Sequence, residues 1–364
     1  MLFEPINIAD LTVSNRLVRS ATNEWLAEDD GTPTEAIGDM YEELARNKVG
    51  LIITGYSYVD PKGKSNDRQQ GIFDDRSIAP YRAITTRVHK YDSRIFLQIV
   101  HGGRQSMVTD GGPILAPSAV RDTSSGKTPM AMSQEDIQQT IRDFVAATRR
   151  AKEAGFDGVQ LHCAHGFLLS SFISPYTNRR EDQWGGSVEN RTRIITEIMV
   201  GIRKTVGEAF PIMVKLNATD GFDVFSGKVG LDAPECVEIA SLLEKSGVCA
   251  IEVSGGIFEA GEVMAQPDID SMDKEAYFKR YAKMIRDTVN IPVILVGGIR
   301  SRSVMDSMFK GYADMISMSR PFICEPDLAI KLKNGAESAR CVSCNRCFDP
   351  EGIRCNFDFG DGMP

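Results

Sequence analysis

The sequence lacks any apolar run near the roughly 18 residues of a membrane-spanning helix, which excludes a helical integral membrane protein. It also lacks a basic excess. Lys and Arg number 42 against 50 Asp and Glu, for a net charge of -8. With no basic stripe either, a nucleic-acid partner is excluded. The first residues, Met1-Leu2-Phe3-Glu4-Pro5, lack the basic and apolar regions of a secretory leader. A cytoplasmic, reducing setting is therefore expected. Histidine is scarce, at 4 in 364 residues, so its placement carries weight.

What is present is ordinary globular composition, 42% hydrophobic and 25% charged. Length permits two domains, but α/β barrels of this size form one unit. Near the N-terminus, Ile8, Leu11, Val13 and Leu17 flank an Ala9-Asp10 turn, which predicts a hairpin leading into a first strand that ends near Asn23. Seven further short apolar strands are predicted at Gly50–Thr54, Arg94–Val100, Asp157–Leu161, Pro211–Leu216, Cys249–Val253, Pro292–Val296 and Asp314–Met318. Amphipathic helices are predicted between and after them, at about 35–48, 75–91, 134–154, 188–206, 233–246, 273–289, 302–310 and 327–333. In the third, Ile137, Ile141, Phe144, Val145, Thr148 and Ala151 share a face, and Ser133 with Asp136 forms a capping box. Eight βα units in series predict an α/β fold, a (β/α)8 TIM barrel spanning 1–335, with an N-terminal hairpin and a short Cys-rich extension over 336–364 packed on it.

Barrels of this kind place active sites at the C-terminal strand ends. Those ends carry Thr22, Gly55 and Tyr56, Gln98 and His101, His162 and His165, Lys215 and Asn217, Ser254, Gly297 and Gly298, and Ser319 and Arg320. A lone histidine is more often structural than catalytic, but three of the four fall on this one rim. The loop from His101 to Met132 either folds over the rim as a lid or packs there. The run from Asn178 to Ser187, rich in Asn, Arg, Asp and Gly, is expected to be ordered. Gly297-Gly298 opening a helix, beside Ser319-Arg320, suits a phosphate held by backbone N–H groups, a helix N-terminus and a guanidinium; the bland alternative is a tight βα turn. Gln98, Lys215 and Thr22 suit the edge of a flat heteroaromatic ring.

These residues resemble the old yellow enzyme family of FMN-dependent oxidoreductases. The resemblance rests on Ser20-Ala21-Thr22, Gln98-Ile99-Val100-His101-Gly102-Gly103-Arg104, His162-Cys163-Ala164-His165-Gly166, Ser174-Pro175-Tyr176-Thr177-Asn178-Arg179-Arg180, Trp184 through Arg191, Gly297-Gly298 and Ser319-Arg320-Pro321. It implies FMN held by Ala21, Thr22, Gly55, Gln98, Lys215, Gly297, Gly298, Ser319 and Arg320. It implies NAD(P)H as co-substrate and reduction of an activated C=C bond in a small-molecule substrate, with His162 and His165 polarising its oxygen. Many members carry a proton-donating tyrosine after the histidine pair. Here that position is Phe167, which leaves Tyr176, Tyr56 or water as donor. Relatives are often homo-oligomers, and the same is expected here.

Four cysteines, Cys341, Cys344, Cys347 and Cys355, cluster near the C-terminus, whereas Cys163, Cys236, Cys249 and Cys324 sit in apolar segments as buried thiols. The cluster resembles that of dienoyl-CoA reductases and trimethylamine dehydrogenases, which implies a [4Fe–4S] cluster. The final gap is shorter here, and Cys₄ zinc or no metal are the alternatives. The sequence shows no second Gly-x-Gly-x-x-Gly unit, so a redox cluster is expected to need an electron-transfer partner. The other expected activity is then that of an amine dehydrogenase or dienoyl-CoA reductase type, or an electron-transfer component.

Overall fold

A computed structural model of the chain describes residues 1–107 and 112–359. The N-terminal hairpin pairs β1 (Ile6–Ile8) with β2 (Leu11–Val13), Ile6 opposite Val13, and Ala9 takes the left-handed conformation its two-residue turn requires. The barrel strands are β3 (Leu17–Arg19), β4 (Leu51–Ile53), β6 (Arg94–Val100), β9 (Gly158–Cys163), β10 (Ile212–Asn217), β11 (Ala250–Ser254), β12 (Val293–Leu295) and β13 (Met315–Met318). They pair in parallel in that order, and β13 pairs with β3 to close the ring. A short β5 (Ser57–Tyr58) pairs with the end of β6, and β7 (Leu115–Ala116) pairs with β8 (Met130–Ala131). Every expected barrel strand is present.

The helices are α1 (Glu35–Arg46), α2 (Ile78–Val88), α3 (Gln134–Glu153), α4 (Leu168–Ile173), α5 (Val188–Val206), α6 (Ala233–Lys245), α7 (Lys279–Arg286), α8 (Arg302–Met308), α9 (Arg320–Cys324) and α10 (Leu328–Lys333). The α3 capping box forms as the sequence predicts, because each of Ser133 and Asp136 satisfies a backbone N–H of the other. The helix expected over 273–289 shortens to α7. Ala276 adopts a positive φ, which ends helical geometry before Lys279.

Strand periodicity explains why the site lies where it does. Side chains two apart on a strand share a face. Val18, Phe96, Met213, Ala250 and Met315 belong to a buried apolar cluster that includes Ile8 and Val13 of the hairpin. The hairpin thus closes one end of the barrel. Two residues further along the same strands stand Ser20, Gln98, Lys215, Glu252 and Ser317, all buried and all polar. The interior therefore changes from apolar to polar within one strand step, toward the C-terminal ends.

Around the rim, the run after α4 is ordered for a structural reason. Asn178 Nδ2 donates to the carbonyls of Phe172 and Trp184, both at 2.7 Å, and the fully buried Trp184 donates to Gln134 Oε1 at 2.6 Å. The described parts of the loop between His101 and Met132 pack onto the rim; residues 108–111 lie outside the described residues. Arg104, itself buried, pairs with Glu259 at 3.0 Å, which ties this loop to the one after β11. The extension is bound to the barrel by Ala339 N–H donating to Arg300 O at 2.9 Å and Ile353 N–H donating to Glu24 O at 2.8 Å, and residues 360–364 lie outside the description. Among the described residues no helix is long and apolar enough to cross a membrane.

Candidate active site

A cavity of about 510 Å³ opens at the C-terminal end of the barrel. Its barrel wall is made by Ser20, Ala21, Thr22, Lys215, Ser254, Ser317, Ser319 and Arg320, with Gly298 from the turn after β12. Facing groups come from loops: Trp25, Tyr56, Asn66, Gln105, His165, Phe167, Phe258 and Met264. Ser343 and Phe348 of the extension also line it, which sequence reasoning missed. No spacing rule relates those two positions to the barrel rim.

Beneath the cavity the polar layer forms one connected network. Gln98 Nε2 donates to Gln160 Oε1 at 2.6 Å, and Gln160 Nε2 donates to Glu252 Oε2 at 2.8 Å. Ser20 Oγ and Ser317 Oγ each donate to Glu252 Oε1 at 2.7 Å. Lys215 Nζ donates to Ser20 Oγ at 2.9 Å and lies 3.5 Å from Glu252 Oε2. Burial pulls the Lys215 ammonium below its ordinary pKa, and the Glu252 carboxylate works against that fall. Gln98 is fully buried, one layer behind the lining, and its Oε1 has no partner. Thr22 and Ser319, on adjacent strand ends, are hydrogen-bonded to each other.

The histidine pair is held by local turn geometry. The rings of His162 and His165 lie 5.1 Å apart, edge to face at 88°. His162 Nδ1 accepts from the Ala164 N–H at 3.3 Å, so the neutral ring carries its proton on Nε2. His165 sits at a positive φ, with Nε2 2.7 Å from Ser254 Oγ. Burial pushes both imidazoles well below the ordinary histidine range. For His162 the neighbouring His165 and then Lys215 add to this, and for His165 Lys215 does. The third rim histidine is structural: His101 is buried, and its Nδ1 accepts from the Gly103 N–H at 3.1 Å.

The structure does not bring every expected site residue to the cavity: His165 lines it, whereas His162 is buried and is not among its lining residues. Tyr176, expected as a proton donor, is not among its lining residues. Its hydroxyl donates to Glu259 at 3.2 Å, and its ring packs edge-on against Phe222. Tyr56 does line the cavity, 5.2 Å from Phe167, and its hydroxyl accepts from Asn66 Nδ2 at 2.9 Å. Gly55 lies behind the wall, its N–H donating to Glu24 and Tyr41. Gly297 is likewise not in the lining. Gly298 has a φ of 68°, and a Cβ there would lie 2.9 Å from the Tyr277 ring, so only glycine fits. The backbone donors entering α8 are already used. The N–H groups of Arg300 and Ser301 both donate to the buried Glu275 carboxylate, at 2.7 and 2.9 Å. Those two N–H groups therefore do not serve an anion in this cavity, whereas Gly298 and Arg320 both line it.

Cys341, Cys344, Cys347 and Cys355 converge on a second, very small cavity of about 20 Å³. Cys324, expected as an isolated buried thiol, joins them there, and Arg320 lines both cavities. Burial raises the Cys341 thiol and lifts that of Cys347 to about 11. Among the described residues no group of three or more His, Cys, Asp or Glu is placed to hold a metal ion. The thiols share one small cavity without forming such a group, so the expected [4Fe–4S] cluster and its zinc alternative are not supported by this arrangement.

The sequence model of the NADH:flavin oxidoreductase / NADH oxidase family matches residues 1–339. The chain belongs to that family. This makes it an oxidoreductase of the old yellow enzyme type, a class that works with flavin and NAD(P)H. It is 36% identical to the NADH oxidase of Thermoanaerobacter brockii, over 97% of this chain but only 55% of that protein. The chain thus spans about half the length of that relative. It is 34% identical to the NADPH dehydrogenase of Bacillus subtilis (strain 168), over 90% of this chain and 93% of that protein. The old yellow enzyme homologue from Zymomonas mobilis superposes with a TM-score of 0.79 at 27% identity, over 94% of this chain and 95% of that one.

Proposed function

We propose that this family member binds FMN in the large cavity and uses NAD(P)H to reduce an activated C=C bond of the enone or enoyl class. One observation carries the reading. The cavity has a cationic, hydrogen-bonding floor at Lys215, Ser20, Thr22 and Ser319, and an opposing aromatic wall that holds His165, Tyr56 and Phe167. The fit to a flavin is supported by the volume, which falls in the range of small-molecule sites, and by the unpartnered buried Gln98 Oε1.

FMN, when bound, supplies hydride transfer in both directions at its ring. Ala21, Thr22, Ser319, Gln98 and Lys215 would hold that ring, and Gly298 and Arg320 its phosphate. His162 and His165 orient the substrate by its carbonyl or nitro oxygen. His162 does so as a neutral donor through Nε2–H, and stabilises the negative charge that develops on that oxygen. Tyr56 holds the proton for the α-carbon. Its oxygen accepts from Asn66, so its own proton remains available, and burial raises its pKa so that the phenol stays protonated. Phe167, Phe258 and Met264 keep water from the reacting face.

The test is anaerobic stopped-flow on the FMN-loaded protein. NADPH should bleach the flavin, and 2-cyclohexenone or an enoyl thioester should restore its colour. Protein that takes up no FMN, or reduced flavin left unchanged by every such alkene, would sink the reading.

A further inference from the structure

The polar layer beneath the cavity carries an asymmetry that the proposed reaction does not by itself explain. Glu252 is fully buried on β11 and receives two hydroxyl donors, one amide donor and a nearby ammonium. A carboxylate only accepts hydrogen bonds. Gln160 must therefore turn its NH₂ toward Glu252, which leaves its Oε1 for Gln98. Gln98 must in turn spend its NH₂ on Gln160, which leaves its own Oε1 as the free group. One buried charge thus sets the direction of two amides in series. The same charge also faces Lys215, directly at Oε2 and through Ser20 at Oε1.

We propose that Glu252 is a positioning residue for the flavin ring, holding Lys215 as a cation and Gln98 as an acceptor; this rests on the flavin reading above. The oxidised isoalloxazine ring has one N–H donor, N3–H, set between two carbonyl groups. One acceptor and one cation complement that edge. Were Glu252 neutral, Gln160 could reverse, Gln98 could present its NH₂ instead, and Lys215 would lose the charge facing it.

Apoprotein is titrated with FMN and with 3-methyl-FMN, for wild type and Glu252→Gln, and the two-electron potential of each holoprotein is measured against a reference dye. Wild type should prefer FMN over the methylated analogue by roughly tenfold, the size of one buried hydrogen bond. In Glu252→Gln that preference should collapse, and the potential should move away from the wild-type value because the charge that faces Lys215 is gone. A purely structural Glu252 would lower the melting temperature and leave both readouts in place. Glu252→Gln with wild-type preference and potential overturns the proposal alone. Wild type that binds no FMN overturns the flavin reading and this proposal with it. Should Glu252→Gln not fold, Gln160→Met keeps the Lys215–Glu252 pair and breaks the relay. Lost analogue discrimination there supports the proposal, and intact discrimination overturns it.

Discussion

The ring of Tyr56 stands 5.8 Å from that of His162, tilted by 56°. A phenol that lines the cavity and a buried imidazole are thus side by side, next to the Phe167 that cannot donate a proton. Replacing Tyr56 by Phe removes one oxygen and keeps the ring packing. The expected result is a rate of alkene reduction lowered by roughly 10²-fold, at the low end for a general acid. Flavin reduction by NADPH should change much less. Equal loss in both half-reactions, read by stopped-flow, would show that Tyr56 acts through packing.

The two histidines should behave as neutral donors. Burial keeps His162 and His165 uncharged well below the ordinary histidine range. The rate of alkene reduction should therefore show no step near about pH 6.5, where a free histidine titrates. His162→Ala should lower kcat/KM for an enone by roughly 10²-fold, as loss of one aligned donor does. A clear break near the ordinary histidine value in the wild-type profile would mean that one imidazole works as a cation.

The acid limb of stability should report His101. Burial brings its imidazole down to about 4 from the ordinary 6.5. The unfolded chain takes up that proton near about 6.5 and the folded chain does not, so this contribution is full above that pH and is lost as pH falls toward about 4. Over that window it amounts to about 3 kcal/mol at most. Burial lifts Asp143 and Asp220 to about 6, and these act in the opposite direction by taking up protons in the folded state. His101→Asn keeps an acceptor for the Gly103 N–H and removes the titration. Its melting temperature should fall less than that of wild type between about pH 6.5 and 5. Parallel slopes would contradict the assignment.

Most of the barrel was legible because Val214, Leu216, Ile251, Val253 and their counterparts mark short buried strands. That His165, Thr22, Lys215 and Ser319 face one cavity followed from positions at strand ends. What stayed hidden has a common cause. Glu252 lies inside an apolar strand, and sequence alone does not distinguish a buried network hub from an outward-facing charge. All six residues of α4 are buried, so it has no amphipathic period to read. Cys324 reaches the other cysteines only because the chain after α9 folds back. Tyr176 and Tyr56 were both open as donors, and of the two only Tyr56 lines the cavity.

Arg320 links the cavity to the extension, and its replacement should affect both. Its Nη1 donates to Gln266 O at 2.8 Å and to Asn345 Oδ1 at 2.7 Å, and Arg320 also lines the cavity. Lysine retains the charge but not the planar fork, so it cannot bridge loop, extension and phosphate together. Arg320→Lys should weaken FMN binding by roughly tenfold, the worth of one charge-assisted hydrogen bond. It should also make the segment after Ala339 more open to protease in the apoprotein. If FMN affinity falls while the protease pattern holds, the guanidinium serves the phosphate alone. If the segment loosens while affinity holds, the phosphate rests on Gly298 and other groups, and the proposed role of Arg320 in binding fails.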